Sequence, residues 1–585
     1  MTHFLGDFAS AATSWQAFER GISRLLMAAG YEHVSLIGAS GDGGADILAI
    51  KSGKRWLVQV KRWTNPIGSD VIERTIAAAK TYEADIPVIV SRSGFTAGLI
   101  EQRLRLASEG IRVQLWDRLS LDRQKSLLSE NSPVADQPEK FALREYQVQA
   151  CDRIVHSWAE DKSGSSLVVL ATGLGKTFVA GESIRRMSNL KRDLRVLVLA
   201  HTNDLVYQLE RAFWPFLRSD QATAIVNGVE RPSWQDLLRF DLVFGSRDTF
   251  VNAAESGLDL GDFDVVVVDE CHHLGSQTYD SLLQYLRVGD MGGPYLIGLS
   301  ATPWRPGGNE LDRWFDGPTV SIDLVKGLRT GYLANVDYRM FTDNVDWDQL
   351  RNLKGERFTP KAINRTLFIN EWDDAVVERT AEAWAQLERG RGIIFCGTVS
   401  HAERMAERIN ALGFTNAAAI YSRGSDGRVM GPIQRSKILW DFSDGKIGIL
   451  CAVDVLNEGV DVPDVNLVVF QRVTHSRRIF VQQLGRGLRL APNKKSVIVL
   501  DFVSDVRRFA AGLELKHALE EPGPRPGNEV RVTLPSKVTF QRATKEDVIG
   551  ASFLREWLGD LAEVEQAGED VSVLRYPPYS NLPRD

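Results

Sequence analysis

Ser166-Leu167-Val168-Val169-Leu170-Ala171-Thr172-Gly173-Leu174-Gly175-Lys176-Thr177 joins an apolar run to a glycine turn and then to a helix-forming stretch. Backbone N–H groups in such a turn can cradle phosphate oxygens, and the following helix N-terminus adds its dipole. Lys176 then meets the β- and γ-phosphates, and the Thr177 hydroxyl ligates Mg²⁺. Thr172, Gly173 and Gly175 form the cradle. The longer phosphate-loop pattern asks for glycine where this chain has Leu170, so a shorter variant of the loop is expected. Apolar runs of the same kind recur at Val196–Leu199, Val265–Val268, Ile393–Phe395 and Leu467–Phe470. Short β-branched runs without polar alternation suit strands buried on both faces, as in a parallel sheet covered by helices. The pattern is too long for one sheet, which predicts two α/β domains from Phe141 onward.

About 90 residues after the turn comes Val265-Val-Val-Val-Asp269-Glu270-Cys271-His272. Two carboxylates at the tip of a buried strand need a positive partner, because unpaired buried charge is costly. Mg²⁺ supplies it. Asp269 is the expected metal holder, and Glu270 the group that orients and deprotonates the attacking water. His272 and His273 are adjacent and point to different sides, which argues against zinc.

With ATGLGKT, DECH, the Ser300-Ala301-Thr302 of LSATP and Gln482-Gln-Leu-Gly485-Arg486-Gly-Leu-Arg489 in this order, the chain resembles superfamily 2 helicases and translocases over about 141–505. The resemblance implies two RecA-like lobes with ATP between them. Leu143-Arg144-Glu145-Tyr146-Gln147 resembles the motif that reads adenine, through Arg144 and Gln147. Ser300 and Thr302 resemble the motif that couples hydrolysis to movement. Gly459 and Asp461, in NEGVD, resemble the second-lobe motif that touches both nucleotide and nucleic acid, and Gln482 resembles a second-lobe group at the nucleotide. Arg486 and Arg489 are the implied arginine fingers, a device worth about 10³–10⁵ in rate. His201-Thr202-Asn203 and Ser246-Arg247-Asp248-Thr249 resemble loops that grip the nucleic-acid backbone. His201, Thr202, Ser246 and Thr249 are the expected DNA contacts; such groups hold phosphates without reading bases.

Residues 1–125 hold 16 Lys/Arg against 13 Asp/Glu, slightly basic in a chain whose net charge is -6. Asp46 opens a strand after a glycine turn, and Gln59 and Lys61 are two apart on a later strand, hence on one face. In a hairpin Asp46, Gln59 and Lys61 converge, with the Val60 carbonyl as a further oxygen for Mg²⁺. Glu19, in the helix Trp15–Met27, completes the set. The runs FERGISRLLMAAGY, GDGGADI, VQVKRW and GSD resemble a Mrr-type restriction endonuclease domain of the PD-(D/E)xK class. Gln59 stands where the general class has a second acid. One carboxylate fewer predicts weaker metal binding, or one tight metal in place of two. Lys61 orients water or steadies the charge that builds on phosphorus.

The composition, 44% hydrophobic and 25% charged, excludes a mostly disordered or fibrous chain. The overall acidity excludes a globally basic nucleic-acid glue but leaves room for a local basic groove. Cys151, Cys271, Cys396 and Cys451 have no CxxC spacing, which speaks against a disulfide scaffold or a zinc ribbon and fits thiols in a reducing cytoplasm. No apolar run is long enough for a transmembrane helix, and the N-terminus does not read as a signal peptide. Tyr576-Pro577-Pro578-Tyr579 does not make a methyltransferase, because no cofactor-binding domain surrounds it.

The expected architecture is α/β throughout. A restriction-endonuclease-like domain at 1–125 is followed by a linker at 126–140, RecA-like lobes at 141–334 and 335–505, and a small extension at 506–585. The extension reads as a strand pair and a helix near 550–567. The expected function is an ATP-dependent DNA translocase or helicase with a Mg²⁺-dependent endonuclease, acting on double-stranded DNA in prokaryotic restriction or anti-phage defence, with further specificity subunits possible. Two alternatives stay open: a DNA-repair helicase–nuclease, and a DNA-binding motor with an inactive nuclease clamp. RNA is a weaker candidate substrate.

Overall fold

The structure is a computed structural model. It describes residues 14–37, 45–61, 65–139, 141–275, 277–301, 310–322, 326–327, 330–340, 370–421, 427, 429–453, 465–471, 494, 496–502 and 538–542. The chain divides into two compact units, residues 1–171 with 175–323, and residues 172–174 with 324–585.

The first unit opens with a five-stranded sheet in the order β1 (Glu32–Leu36), β2 (Ile47–Lys51), β3 (Lys54–Lys61), β4 (Ile86–Ser91), β5 (Gln114–Trp116). The β2–β3 hairpin is antiparallel, with Lys51 opposite Lys54. Its two-residue turn has positive φ at both Ser52 and Gly53, the twist that such hairpins prefer. From β3 to β5 the sheet is parallel. Helix α1 (Trp15–Ala28) covers one face, packing Phe18, Ile22, Leu25 and Leu26 with Ile47, Val58, Val60 and Val88. Helices α2 (Asp70–Thr81) and α3 (Ala97–Ser108) cover the other through Val71, Ile72 and Leu99 against Ile89. Alternation along β3 therefore turns Gln59 and Lys61 away from α1.

Helix α4 (Arg118–Ser126) leads into the expected linker, which is built rather than extended. A short helix, α5 (Pro133–Asp136), is capped by Ser132 and buries Val134. The Glu130 carbonyl accepts the Ser219 amide at 3.3 Å.

The same unit continues with α6 (Glu145–Glu160), β6 (Ser165–Leu170), α7 (Lys176–Leu190), β7 (Val196–Ala200), α8 (Asn203–Phe213), β8 (Thr223–Val226), β9 (Leu242–Ser246), α9 (Arg247–Glu255), β10 (Val265–Val268), α10 (Gln277–Tyr285), β11 (Tyr295–Ser300) and β12 (Pro318–Ile322). Its strands form one seven-stranded sheet, β12-β6-β11-β10-β7-β9-β8, with every pairing parallel. The apolar runs read from the sequence at 167–170, 196–199 and 265–268 are buried strands of this sheet.

The second unit holds β13 (Asn335–Met340), α11 (Asn370–Trp384), β14 (Gly392–Phe395), α12 (Val399–Leu412), β15 (Ala417–Tyr421), α13 (Pro432–Ser443), β16 (Ile449–Val453), β17 (Leu467–Phe470), β18 (Ser496–Asp501) and β19 (Val538–Arg542). These strands make a second parallel sheet, β15-β16-β14-β17-β18-β13-β19. A local strand pair was expected near the C-terminus. The strand described there, β19, instead extends this sheet, parallel to β13. The proline- and glycine-rich stretch 522–527 and the expected helix at 550–567 lie outside the described residues. All four cysteines are buried and free.

Candidate ATP site and nuclease centre

Parallel strands aim all their C-terminal ends one way, and the motif residues of the first unit lie along that edge. The order of the sheet sets their spacing. The turn after β6 carries the phosphate cradle. Ser300 ends the adjacent β11 and is buried. Asp269 and Glu270 follow β10, one strand further on. His201 and Thr202 follow β7, and Ser246 ends β9.

The turn is left-handed at Gly173 (φ 91°) and Gly175 (φ 81°), and α7 starts at Lys176. A Cβ on Gly175 would come 2.5 Å from Gln147 Nε2. Gln147 is buried, and its Oε1 accepts the Arg144 amide at 2.9 Å, which caps α6. The adenine-reading pair and the cradle thus meet at the helix starts of α6 and α7. Lys176 Nζ reaches back to the Leu170 carbonyl at 3.4 Å, a weak bond that leaves the ammonium over the turn. Thr177 follows it in the first turn of α7.

Asp269 is 9% exposed, and its amide donates to Leu199 at 3.0 Å. Burial, together with the neighbouring Glu270 charge, pushes its carboxyl up to about 6; Lys176 and His201 pull the other way. A buried acid raised in this manner is the kind of group a divalent cation restores to its charged form. Glu270 has φ 48°, a left-handed conformation uncommon for a non-glycine residue. Its Oε2 lies 3.3 Å from His272 Nδ1. This His272 contact was not anticipated from the sequence.

The expected DNA contacts have defined local roles. Thr202 Oγ1 caps α8 by accepting the Leu205 amide at 3.3 Å. Ser246 Oγ and Thr249 Oγ1 are 2.8 Å apart. Thr302, Gly459, Asp461, Gln482, Arg486 and Arg489 lie outside the described residues.

In the N-terminal domain the hairpin brings Asp46 and Lys61 together, with Gln59 on the same face of β3 as Lys61. Asp46 is 4% exposed, and its Oδ2 accepts the Val60 amide at 2.6 Å and lies 3.9 Å from Lys61 Nζ. Gln59 is buried, and its Oε1 accepts from Thr75 Oγ1, which also donates to the Val71 carbonyl at 2.8 Å. One hydroxyl proton cannot serve both acceptors fully. Turning the amide by half a turn lets Nε2 donate to Thr75 and frees Oε1 for a metal, so the residues present fit a divalent cation. Thr75 was missed in the sequence, where a threonine in a helix carries no signal. Glu19 is buried in α1, on the opposite face of the sheet from Gln59 and Lys61. Positions 41–44 and 62–63 of the nuclease-like runs lie outside the described residues.

Three family profiles match consecutive parts of the chain: a restriction endonuclease profile of the Mrr catalytic type at 10–124, the res subunit of type III restriction enzymes at 140–305, and the helicase conserved C-terminal domain at 375–491. The chain is a Mrr-type endonuclease domain followed by the two domains of a superfamily 2 helicase. The chain is 27% identical over 401 residues to "DNA 3'-5' translocase XPB2" of Sulfurisphaera tokodaii, covering 63% of this chain and 82% of that one. It is 26% identical over 447 residues to "Type I restriction enzyme EcoAI endonuclease subunit" of Escherichia coli, covering 70% and 52%. The chain therefore spans about half the length of that restriction subunit. The solved structure titled "ATP-dependent Type ISP restriction-modification enzyme LlaBIII bound to DNA" shares the fold, with a TM-score of 0.51 and 15% identity over 94% of this chain and 41% of that one.

The parallel sheets are thus RecA-like lobes beside a sheet-containing N-terminal domain. The chain carries the domains of an ATP hydrolase and of a DNA endonuclease, which imply ATP and a divalent metal. Among the described residues no helix is long and apolar enough to cross a membrane.

Proposed function

We propose that this protein hydrolyses ATP to track along double-stranded DNA and cuts that DNA with Mg²⁺, in restriction of foreign DNA in a prokaryotic cytoplasm. The observation that carries the proposal is the Asp46–Lys61 pair at the end of an antiparallel hairpin, in the same compact unit as Lys176, Asp269 and Glu270. A cytoplasmic site fits the buried free thiols. Additional specificity subunits are compatible with the likeness to a type I endonuclease subunit.

In the motor, Lys176 and the amides of the turn bind phosphate oxygens. Thr177 and Asp269 hold Mg²⁺, which neutralises phosphate charge when bound. Glu270 takes the proton of the attacking water, and Ser300 and Thr302 relay the change in the site. Arg144 and Gln147 hold the adenine; Gly459, Asp461 and Gln482 bind nucleotide, and Arg486 and Arg489 are the arginine fingers. His201, Thr202, Ser246 and Thr249 hold DNA phosphates. In the nuclease, Asp46 and the turned amide of Gln59 would hold the metal, and Lys61 would orient the attacking water.

The second reading, a motor with an inactive nuclease clamp, draws on the Thr75–Gln59 contact, which occupies the amide oxygen. Phage plating on cells expressing wild type or Lys61→Ala tests the defence role. Protection by wild type alone supports restriction. Equal protection by both supports the clamp. Improved survival of DNA damage with no effect on phage supports repair.

A further inference from the structure

Helix α1 is buried on all sides: every residue from Ala17 to Leu26 is buried. Its apolar stripe lies on the nuclease sheet. Its arginine stripe, Arg20 and Arg24, enters the motor lobe. Arg20 Nε lies 2.7 Å from Glu210 Oε2 of α8, and its Nη1 donates to Glu230 Oε1. Both partners are as buried as the arginine. Glu210 also accepts from Thr223 Oγ1 at 2.6 Å, and Glu230 accepts from Ser14 Oγ at 2.8 Å. Arg24 donates to the Gln221 carbonyl at 2.7 Å and the Arg218 carbonyl at 2.8 Å. The Arg20 guanidinium lies 5.9 Å from the Tyr207 ring centre, and Arg211 of α8 donates to the Val34 carbonyl of β1. Burial alone would lower the Arg20 pKa; Glu210 and Glu230 more than reverse this, so its charge is secure. Charges removed from water this completely are tolerated only with well-placed partners.

The motor side of this node leads directly to the loop at His201–Asn203, proposed above to hold DNA phosphates. Helix α8 starts at Asn203, and Glu210 lies about 10 Å further along its axis at ~1.5 Å per residue. The loop that carries Glu230 is tied to the same asparagine, because Gly228 N donates to Asn203 Oδ1 at 3.4 Å. On the nuclease side, Arg20 is the neighbour of Glu19.

We propose that the Arg20–Glu210–Glu230 node, with Arg24, clamps the nuclease domain onto the first motor lobe, so that the two move as one body and the nuclease centre keeps a fixed place relative to the loop at His201–Asn203. Arg20 is a positioning residue in this device. The proposal concerns domain docking and stands whether or not the proposed restriction role holds; only its cleavage arm rests on that role.

Hydrogen exchange on the full chain tests it, with Arg20→Ala and the milder Glu230→Gln. Each variant should speed exchange by about 10-fold or more on both sides of the node, in α1 and in Tyr207–Phe213, while α2 and α7 keep wild-type protection. Glu230→Gln removes a charge from the motor lobe, so faster exchange in α1 of the nuclease is the distinguishing result. A response confined to the substituted side, or no response, overturns the clamp. In the cleavage arm, DNA ends produced per ATP hydrolysed should fall by about 10-fold with ATP turnover within twofold of wild type. A fall in both together contradicts a positioning role. If wild type does not cut, the function proposal fails while the exchange result still decides the docking.

Discussion

Lys61 Nζ stands 3.9 Å from Asp46 Oδ2, and the same carboxylate oxygen accepts the Val60 amide at 2.6 Å. The lysine and the acid proposed to hold metal are thus held at one strand end by the hairpin itself. Asp46 is nearly buried, whereas Lys61 is about a quarter exposed, so the cation reaches solvent while the carboxylate does not. Lys61→Ala should reduce DNA cleavage by about 10²–10³, the scale of losing one transition-state contact. ATP hydrolysis, housed on another sheet, should change by less than twofold. Parallel assays of nicking and phosphate release check this; retained cutting would remove Lys61 from the chemistry.

Gln59 places a neutral amide where a second carboxylate would add a full charge. Metal titration by calorimetry should show one tight site in the nuclease of a Lys176→Ala background, not two. Gln59→Glu should tighten that site by about 10-fold, since unit charges ~4 Å apart at an effective dielectric of ~20 interact by several kcal/mol before desolvation is subtracted. An unchanged isotherm would mean that residue 59 does not face the metal and that its bond to Thr75 is its whole role.

Gly175 needs φ 81°, and a Cβ there meets Gln147 Nε2 at 2.5 Å. The far end of a glutamine can shift, but moving it disturbs the bond that caps α6. Gly175→Ala should cost about 1–2 kcal/mol from the left-handed backbone alone. Nucleotide binding should be lost with it, because the strained turn no longer presents its amides. Fluorescent-nucleotide binding and urea unfolding measure the two effects separately.

Glu182 lies in α7, two turns beyond the phosphate turn, and is buried. Burial opposes its charge, but hydrogen bonds from Arg185 and Arg186 outweigh this and hold its carboxyl below the ordinary glutamate value. A depressed acid contributes stability that is present above the unfolded value, about 4.3, and is lost as pH falls through the lower folded value. Glu182→Gln should therefore destabilise the protein at pH 7 by about 1.5–3 kcal/mol, the range for bonds to charged groups. The gap between variant and wild type should narrow below pH 4. Urea unfolding across this range tests the sign; a gap that widens in acid refutes it.

Much of this molecule was legible in the sequence because its signals are local. The β-branched runs mark the central strands of both parallel sheets. The glycine turn and the DE pair sit at the ends of β6 and β10. Asp46, Gln59 and Lys61 could be placed on one hairpin from strand periodicity. What escaped depends on contacts distant in sequence. Arg20 and Glu210 are 190 residues apart, and each looks like a solvated charge on its own helix. Thr75 and Gln59 belong to different elements. The segment at 126–139 lacks periodicity and so reads as a linker, yet Val134 and Ser132 are buried. The strand at 538–542 joins a partner about 200 residues earlier, which no local pattern reveals.

The central claim is that one polypeptide couples ATP-driven movement to cutting. The most direct test is cleavage of linear and closed-circular duplex DNA with Mg²⁺, with and without ATP, by wild type and Lys176→Ala. Cutting by wild type only when ATP is present, and none by Lys176→Ala, is the predicted result. Equal cutting without ATP, or undiminished cutting by Lys176→Ala, would contradict the coupling and leave the nuclease working apart from the motor.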